Sequence, residues 1–287
     1  MVMDADVVKD ILFANDVDTL VPNYLVSKLT GTKLIFDSHE LFSEVPEIQN
    51  KTFVKSVWLR IEKWIIPKLK NVITVSNSIQ KHYKRLYNVE ATVIRNVPIS
   101  KKVEPKKLPF STKEKKIILY QGSVNLGRGL ELMINTMKLL DNYILVIIGD
   151  GDIMDRLEQE VLLTNMENRV KFTGKVDPKE LKSLTLNADI GFSLEEDLGL
   201  NYRYALPNKL FDYIQAEVPV IVSDLPDMKD LVKHYEIGEV LENRTPEDLA
   251  NLVDFVIQKD FSKELSKAKE ELNWQKEKEK LIAILKS

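Results

Sequence analysis

Residues 204–227 read YALPNKLFDYIQAEVPVIVSDLPD, and the reading of this stretch decides the fold. Leu210, Phe211 and Ile214 recur at helical spacing behind Pro207, a residue that a first helical turn tolerates, so a helix is predicted here. Residues 218–223 follow as a short β-branched run bounded by Pro219 and Asp224, which predicts a buried strand. Lys209 and Asp212 fall in the first turns of the helix. Free N–H groups and the helix dipole attract an anion there, and a carboxylate can accept from a diol. Taken alone, the same two residues also read as the charged surface of an ordinary helix.

Outward from this stretch, short β-branched runs alternate with amphipathic helical windows, the pattern of parallel α/β units. In the first third, strands are predicted at 10–14, 33–37, 72–75 and 91–94, with helices near 18–29, 53–70 and 78–86. The strand ends carry Asn15-Asp16, Asp37-Ser38-His39-Glu40, Ser76-Asn77-Ser78 and Asn96. Ligands of open parallel sheets sit beyond the carboxyl ends of the strands, so these clusters mark one rim. Further on, strands are predicted at 117–120, 143–148, 170–173, 190–193 and 239–241. Gly122, Gly127 and Gly129 permit a tight turn before a helix whose apolar face is Leu130, Met133, Ile134 and Met137. Such a turn either cradles phosphate or merely connects two elements. Asp177, Pro178 and Glu180 cap another helix at Ncap, N1 and N3.

The 287 residues have room for two domains, and a composition of 44% hydrophobic and 30% charged residues suits globular cores. A net charge of −3 argues against nucleic acid as a partner. The lack of cysteine excludes disulfides and thiolate metal sites, and three scattered histidines form no metal-ligand cluster. No apolar run approaches the ~20 residues that span a bilayer, and residues 1–10 do not read as a signal peptide; a cytoplasmic location is expected. Residues 100–116 carry seven lysines and read as a linker or as a basic patch for anionic lipid. The window 53–70, basic and bearing Trp58 and Trp64, reads as a core helix of the sheet domain or as an in-plane membrane helix. The Lys/Glu-rich residues 261–286 read as a solvated helix.

The string ALPNKLFDYIQAEVPVIVSDLP (205–226) resembles the donor-binding segment of retaining group-1 (family-4) glycosyltransferases of the GT-B fold. Asp212 stands where the family usually has the ribose-holding Glu, and Glu217 where it usually has Gly. Arg128, in QGSVNLGRG, falls on the basic residue that contacts the donor diphosphate. The family's Glu-x7-Glu pattern is broken, since Tyr204 stands eight residues before Asp212; Glu195 and Arg203 are the candidates to face the sugar. The resemblance implies an α/β protein of two Rossmann-like domains facing across a cleft, the first one shortened and incomplete. It implies residues 1–100 as the acceptor-side domain, 101–116 as linker, 117–260 as the nucleotide-sugar domain and 261–287 as a helix returning to the first domain, with Trp274 packing there.

The resemblance also implies the chemistry: sugar transfer from a UDP- or GDP-linked donor to a saccharide or lipid-linked acceptor in cell-surface polysaccharide synthesis, with retention and without metal or other cofactor. Arg128 and Lys209 would hold the diphosphate, Asp212 the ribose, and His39 the transferred sugar; Gly122, Ser123 and Asn208 are further loop contacts. Expected partners are the nucleotide sugar, the acceptor, a peripheral membrane surface and a chain that supplies further first-domain strands. Two other readings fit the same residues: a catalytically silent nucleotide-sugar-binding module, and a nucleotide-sugar epimerase of similar architecture.

Overall fold

The computed structural model describes residues 11–45, 48, 51–112 and 114–287. Asp10, with which the first expected strand begins, lies outside them, as does the rest of the segment 1–10 read above for a signal peptide. The chain divides into two compact units. One holds the residues up to Arg95 with Gly199–Ala205 and Lys278–Ser287; the other holds Asn96–Leu198 and Leu206–Glu277.

In the first unit the described residues form a parallel sheet in the order β1-β2-β3-β4: β1 (Ile11–Asn15), β2 (Lys33–Ser38), β3 (Asn71–Thr74) and β4 (Thr92–Val93). Helices Asp16–Thr30, Thr52–Ile65 and Asn77–Tyr87 connect them. Their apolar faces bury Val17, Leu20, Ile65, Ile79 and Tyr83 against Ala14, Phe36 and Val72 of the sheet. The helix expected to reach residue 70 stops at Ile65 and passes into a tighter turn, Ile66–Lys68. Pro67 is the reason: it has no N–H for the helical ladder, and its ring clashes with the preceding turn.

The second unit has the order β10-β9-β8-β5-β6-β7, all parallel: β5 (Lys116–Gln121), β6 (Tyr143–Ile148), β7 (Val170–Gly174), β8 (Ile190–Ser193), β9 (Val220–Ser223) and β10 (Gly238–Leu241). All six residues of β6, YILVII, are buried, as a strand covered on both faces requires. The chain starts at the centre, runs outward to β7, then returns to lay β8 on the other side of β5. Strand order therefore reverses between β5 and β8, where a crevice opens in such sheets. The two strands pair only through Ile118↔Ile190 and Leu119↔Gly191 before they part. The hydroxyl of buried Tyr213 fills the parting: it lies within donating distance of Leu119 O (3.1 Å) and Phe192 O (3.3 Å), and accepts from Gln121 N–H (3.2 Å). A Cβ on Gly191 would stand 2.6 Å from the Tyr213 ring, so only glycine admits that ring.

The opening stretch forms helix Asn208–Gln215 and strand β9. Pro207 sits one position earlier than expected, at the cap in extended backbone (φ −65°, ψ 140°). The strand starts at Val220 because Val218 N–H is spent on Tyr213 O (3.0 Å) and Pro219 has no N–H. That bond, with Glu217 N–H to Ile214 O (3.0 Å), closes the helix in a Schellman turn whose left-handed position is Glu217 (φ 57°). A left-handed L-residue costs about 1–2 kcal/mol, glycine brings about 0.5–1 kcal/mol of extra unfolded-state entropy, and the exposed Glu217–Lys269 pair (3.1 Å) adds under about 1 kcal/mol. These nearly cancel. Glu217→Gly is expected to leave the melting temperature within a few degrees, whereas Glu217→Val, β-branched at positive φ, is expected to lower it; thermal melts compare the two.

At the C-terminal end two helices, Ser262–Glu271 and Trp274–Lys286, replace the single charged helix expected. Asn273 separates them: its amide donates to Lys269 O and Glu270 O, and its Oδ1 accepts from Lys276 N–H. Contrary to expectation, Trp274 packs against the second unit's core, and its backbone N–H donates to Pro98 O (3.0 Å). The lysine-rich stretch after residue 100 also lies with the second unit, tied down by Lys106 N–H to Ser183 O (3.1 Å) and Asn187 Nδ2 to Lys106 O (2.7 Å). Among the described residues no helix is long and apolar enough to cross a membrane.

Candidate donor site

Where β5 and β8 part, the loops leaving them bring together a cluster of charges. Glu195 follows β8 and is fully buried; its Oε1 accepts from Lys209 Nζ at 2.7 Å and its Oε2 from Ser193 Oγ at 2.8 Å. Arg128 Nη1 stands 3.8 Å from the same Oε1. Burial alone would push the Glu195 carboxyl up, but the Lys209 charge, the hydrogen bonds from Lys209 and Ser193, and the Arg128 charge together hold it below the usual carboxylate range. Lys209 is 8% exposed, and its ammonium also lies over the Tyr120 ring, 4.1 Å from the centroid. Tyr120 in turn donates to Ser123 O at 2.6 Å, which fixes the turn after β5. Arg128 and Lys209 thus both face the buried Glu195 carboxylate, and Arg128 remains 28% exposed.

A pocket of about 370 Å³ adjoins this cluster, lined by Gly122, Ser123, Asp150, Gly151, Lys175 and Leu181 among others. Its walls are close-set backbone. Gly149 has φ 149°, and a Cβ there would lie 1.8 Å from Gly122 O; a Cβ on Gly151 would lie 2.2 Å from Asn125 Oδ1. The glycines thus allow the β5 and β6 loops to meet, a role that the spacing of Gly122, Gly127 and Gly129 alone did not show.

Asp212, one turn along the helix from Lys209, accepts from Gln121 Nε2 at 3.0 Å, and Gln121 Oε1 accepts from buried Thr185 Oγ1 at 2.8 Å. Burial pushes the Asp212 carboxyl up to about 6, opposed by the Lys182 charge and the Gln121 hydrogen bond. It also borders a smaller cavity of about 120 Å³ lined by Lys101, Lys102, Lys182 and Lys269. Asn208 stands exposed at the start of the same helix.

In the first unit, the ends of β1 and β2 meet as expected. Asp16 Oδ1 accepts from His39 N–H at 3.0 Å, and the half-exposed His39 ring pairs with Asp37 at 3.4 Å. The hydrogen bond that the ring donates to Asp37 raises the His39 pKa above its ordinary value, against the opposing effect of burial. Arg203 lies on the short helix Leu200–Arg203, also in the first unit. Neighbouring Asn201 bonds Leu41 N–H (3.1 Å) and Glu40 Oε2 (3.2 Å), and Ser76 Oγ donates to Tyr204 O (3.0 Å).

The structure thus gathers Arg128, Lys209, Glu195, Gly122 and Ser123 at one place, with Asp212 beside them, and puts His39 and Arg203 in the first unit. Sequence reasoning missed Tyr120, Gln121, Ser193 and Arg244. Arg244 donates to Ser223 Oγ (2.7 Å), Leu194 O (3.0 Å) and Glu195 O (3.3 Å), and so holds the backbone that carries Glu195. It sits in an unremarkable turn after β10, and no motif marks it.

The family model described as "Glycosyl transferases group 1" matches residues 101–278. A glycosyltransferase of Methanocaldococcus jannaschii is 26% identical over 204 residues, covering 65% of this chain and 50% of the relative. The chitobiosyldiphosphodolichol beta-mannosyltransferase of Candida albicans is 24% identical over 264 residues, covering 80% of this chain and 55% of the relative. The chain therefore spans about half the length of the curated relatives it matches. Among solved structures, sucrose-phosphate synthase from Thermosynechococcus elongatus superposes with a TM-score of 0.79 at 17% identity, covering 96% of this chain and 73% of the other. The Anabaena protein HepE in complex with UDP superposes with a TM-score of 0.77 at 16% identity, covering 96% and 78%. These likenesses support two Rossmann-like units of the GT-B type, the fold class expected from the sequence.

Proposed function

The chain belongs to the group 1 glycosyl transferases, and from that premise we propose that it takes a nucleoside-diphosphate sugar as donor and transfers the sugar to a saccharide or lipid-linked acceptor. The observation that carries the reading is the cluster of Arg128, Lys209 and Glu195 beside a glycine-walled pocket at the reversal of strand order. Arg128 is the ligand-facing cation for the diphosphate, since a permanently charged planar fork suits paired phosphate oxygens. Lys209 contributes charge from behind, and Glu195 holds both cations in place. The pocket has the volume to take a nucleoside, with main-chain groups beside Lys175 reading the base; Asp212, which borders the smaller cavity and not this pocket, is the proposed acceptor for ribose hydroxyls.

In this reading His39 orients the transferred sugar as the bond to the diphosphate breaks. Its contact with Asp37 keeps it protonated to higher pH, which suits a donor to sugar oxygens. Retention, independence of metal, UDP or GDP as the carrier, a cytoplasmic site of action and a role in cell-surface polysaccharide synthesis belong to the same proposal. The dolichol-linked substrate in the name of the Candida relative supports the lipid-linked class of acceptor.

Calorimetry with UDP, GDP and ADP tests the donor site. One diphosphate is expected to bind, and Arg128→Ala is expected to weaken it by about 10–100-fold, the value of one or two hydrogen bonds to a charged group. Failure of all three to bind would remove the proposal. Binding without sugar transfer to any acceptor would instead support a silent nucleotide-sugar-binding module.

A further inference from the structure

The outer face of the first unit carries a feature that sugar transfer does not use. Helix Thr52–Ile65 turns Ile65 and Glu62 inward, where Glu62 accepts from Tyr87 Oη (2.8 Å) and Ser43 Oγ (3.2 Å). Its opposite stripe carries Phe53, Arg60 and Trp64, spaced seven and four residues apart and so nearly aligned along the axis. Phe53 is 77% exposed and Trp64 48% exposed. Trp64 meets the Tyr24 ring edge-on at 6.0 Å, which joins this stripe to helix Asp16–Thr30, where Leu25 and Leu29 also protrude. Each ring is covered by a lysine: Lys28 Nζ lies 5.5 Å from the Tyr24 centroid and Lys68 Nζ 5.2 Å from that of Trp64. The window was read above as core helix or membrane helix. It is a sheet-covering helix on one side and, among the described residues, an exposed cationic, aromatic face on the other.

We infer that this face seats the protein on an anionic phospholipid surface. Among the described residues of these helices the exposed charge is mostly positive: Lys28 and Lys68 cover the rings, Arg60 and Lys63 are exposed beside Trp64 in the sequence, and the acid on the stripe of helix Asp16–Thr30 is Asp18, two turns from Leu25. Each cation near an anionic bilayer adds to binding, and Trp and Tyr rings with lysines reaching past them settle at the headgroup level. Phe53, Leu25 and Leu29 project from convex helices. Protruding apolar side chains enter a fluid interface readily, whereas a folded protein partner would need a groove shaped to each of them.

Co-sedimentation with vesicles decides it. At low salt the protein is expected to pellet with phosphatidylcholine vesicles containing phosphatidylglycerol, not with phosphatidylcholine alone, and to be released as salt rises. The variant K63E/W64A/K68E is expected to bind those vesicles at least about tenfold more weakly. It should keep its nucleoside-diphosphate affinity, which shows that it remains folded; an unchanged circular dichroism spectrum serves if no diphosphate binds. K101E/K102E, in the second unit's lysine-rich stretch, is expected to bind vesicles like the unchanged protein. No binding to anionic vesicles, equal binding by K63E/W64A/K68E, or loss caused by K101E/K102E instead would each overturn the inference.

Discussion

Replacing Lys209 by Met is expected to destabilise the protein by about 3–5 kcal/mol, the cost of leaving a buried charge without its partner, and to lower the melting temperature by roughly 10 °C. Glu195 is fully buried and its closest cation is Lys209, at 2.7 Å. With Lys209 gone, Ser193 and the more distant Arg128 remain, and burial dominates. The pH dependence has a definite sign. In the unchanged protein the Glu195 pKa is depressed, so its contribution is present above the ordinary carboxylate value and is lost as pH falls through the depressed one. In the variant the pKa rises instead, so acid neutralises an unpaired charge. The gap in stability between the two proteins should therefore narrow as pH is lowered. The double variant Lys209→Met/Glu195→Leu should recover most of the loss, because an apolar pair of similar volume serves a buried site about as well as an ion pair. Denaturant melts of the three proteins at several pH values check this, and a double variant no more stable than Lys209→Met would refute the account.

Asp212→Asn should move stability the other way. The Asp212 carboxyl is pushed up to about 6 from an ordinary 3.8, and at ~1.36 kcal/mol per unit this amounts to at most about 3 kcal/mol of destabilisation at neutral pH. A raised folded value means that the native state binds the proton more tightly than the unfolded chain. The relief is complete below the unfolded value and disappears as pH rises through about 6. Asparagine keeps an oxygen for Gln121 and carries no charge, so the unliganded variant should melt several degrees higher at pH 7. Nucleoside-diphosphate affinity should fall at least about tenfold, as an anionic acceptor for the ribose diol is lost. Affinity for the unchanged protein should also decline below about pH 6, beyond the decline seen with the variant, which reports the ligand's own titration. A variant that is less stable, or that binds as well, would show that Asp212 is a structural residue. The expected combination is that of a site kept at some expense of stability.

Much of the fold was legible because hydrophobic periodicity is local. The runs at Tyr143–Ile148 and Ile190–Ser193 are strands with the predicted bounds, and helix Asn208–Gln215 follows from Leu210, Phe211 and Ile214. Errors fell where a single residue outweighs the pattern: Pro67 stops a helix, Pro219 delays a strand, and Asn273 divides a charged stretch in two. The sequence by itself also marked the residue types of the candidate site, a cation in each of two strings for an anion (Arg128 and Lys209) and a carboxylate for a diol (Asp212). Only the tertiary structure decided how they are arranged. Lys209 and Arg128 are 81 positions apart in the numbering, and nothing in that separation shows that both face Glu195, or that Arg244 holds the backbone beneath it. Charge and periodicity are properties of a short window, whereas burial, and with it the depressed Glu195 and the raised Asp212, exists only once distant strands have closed over a side chain and removed it from water.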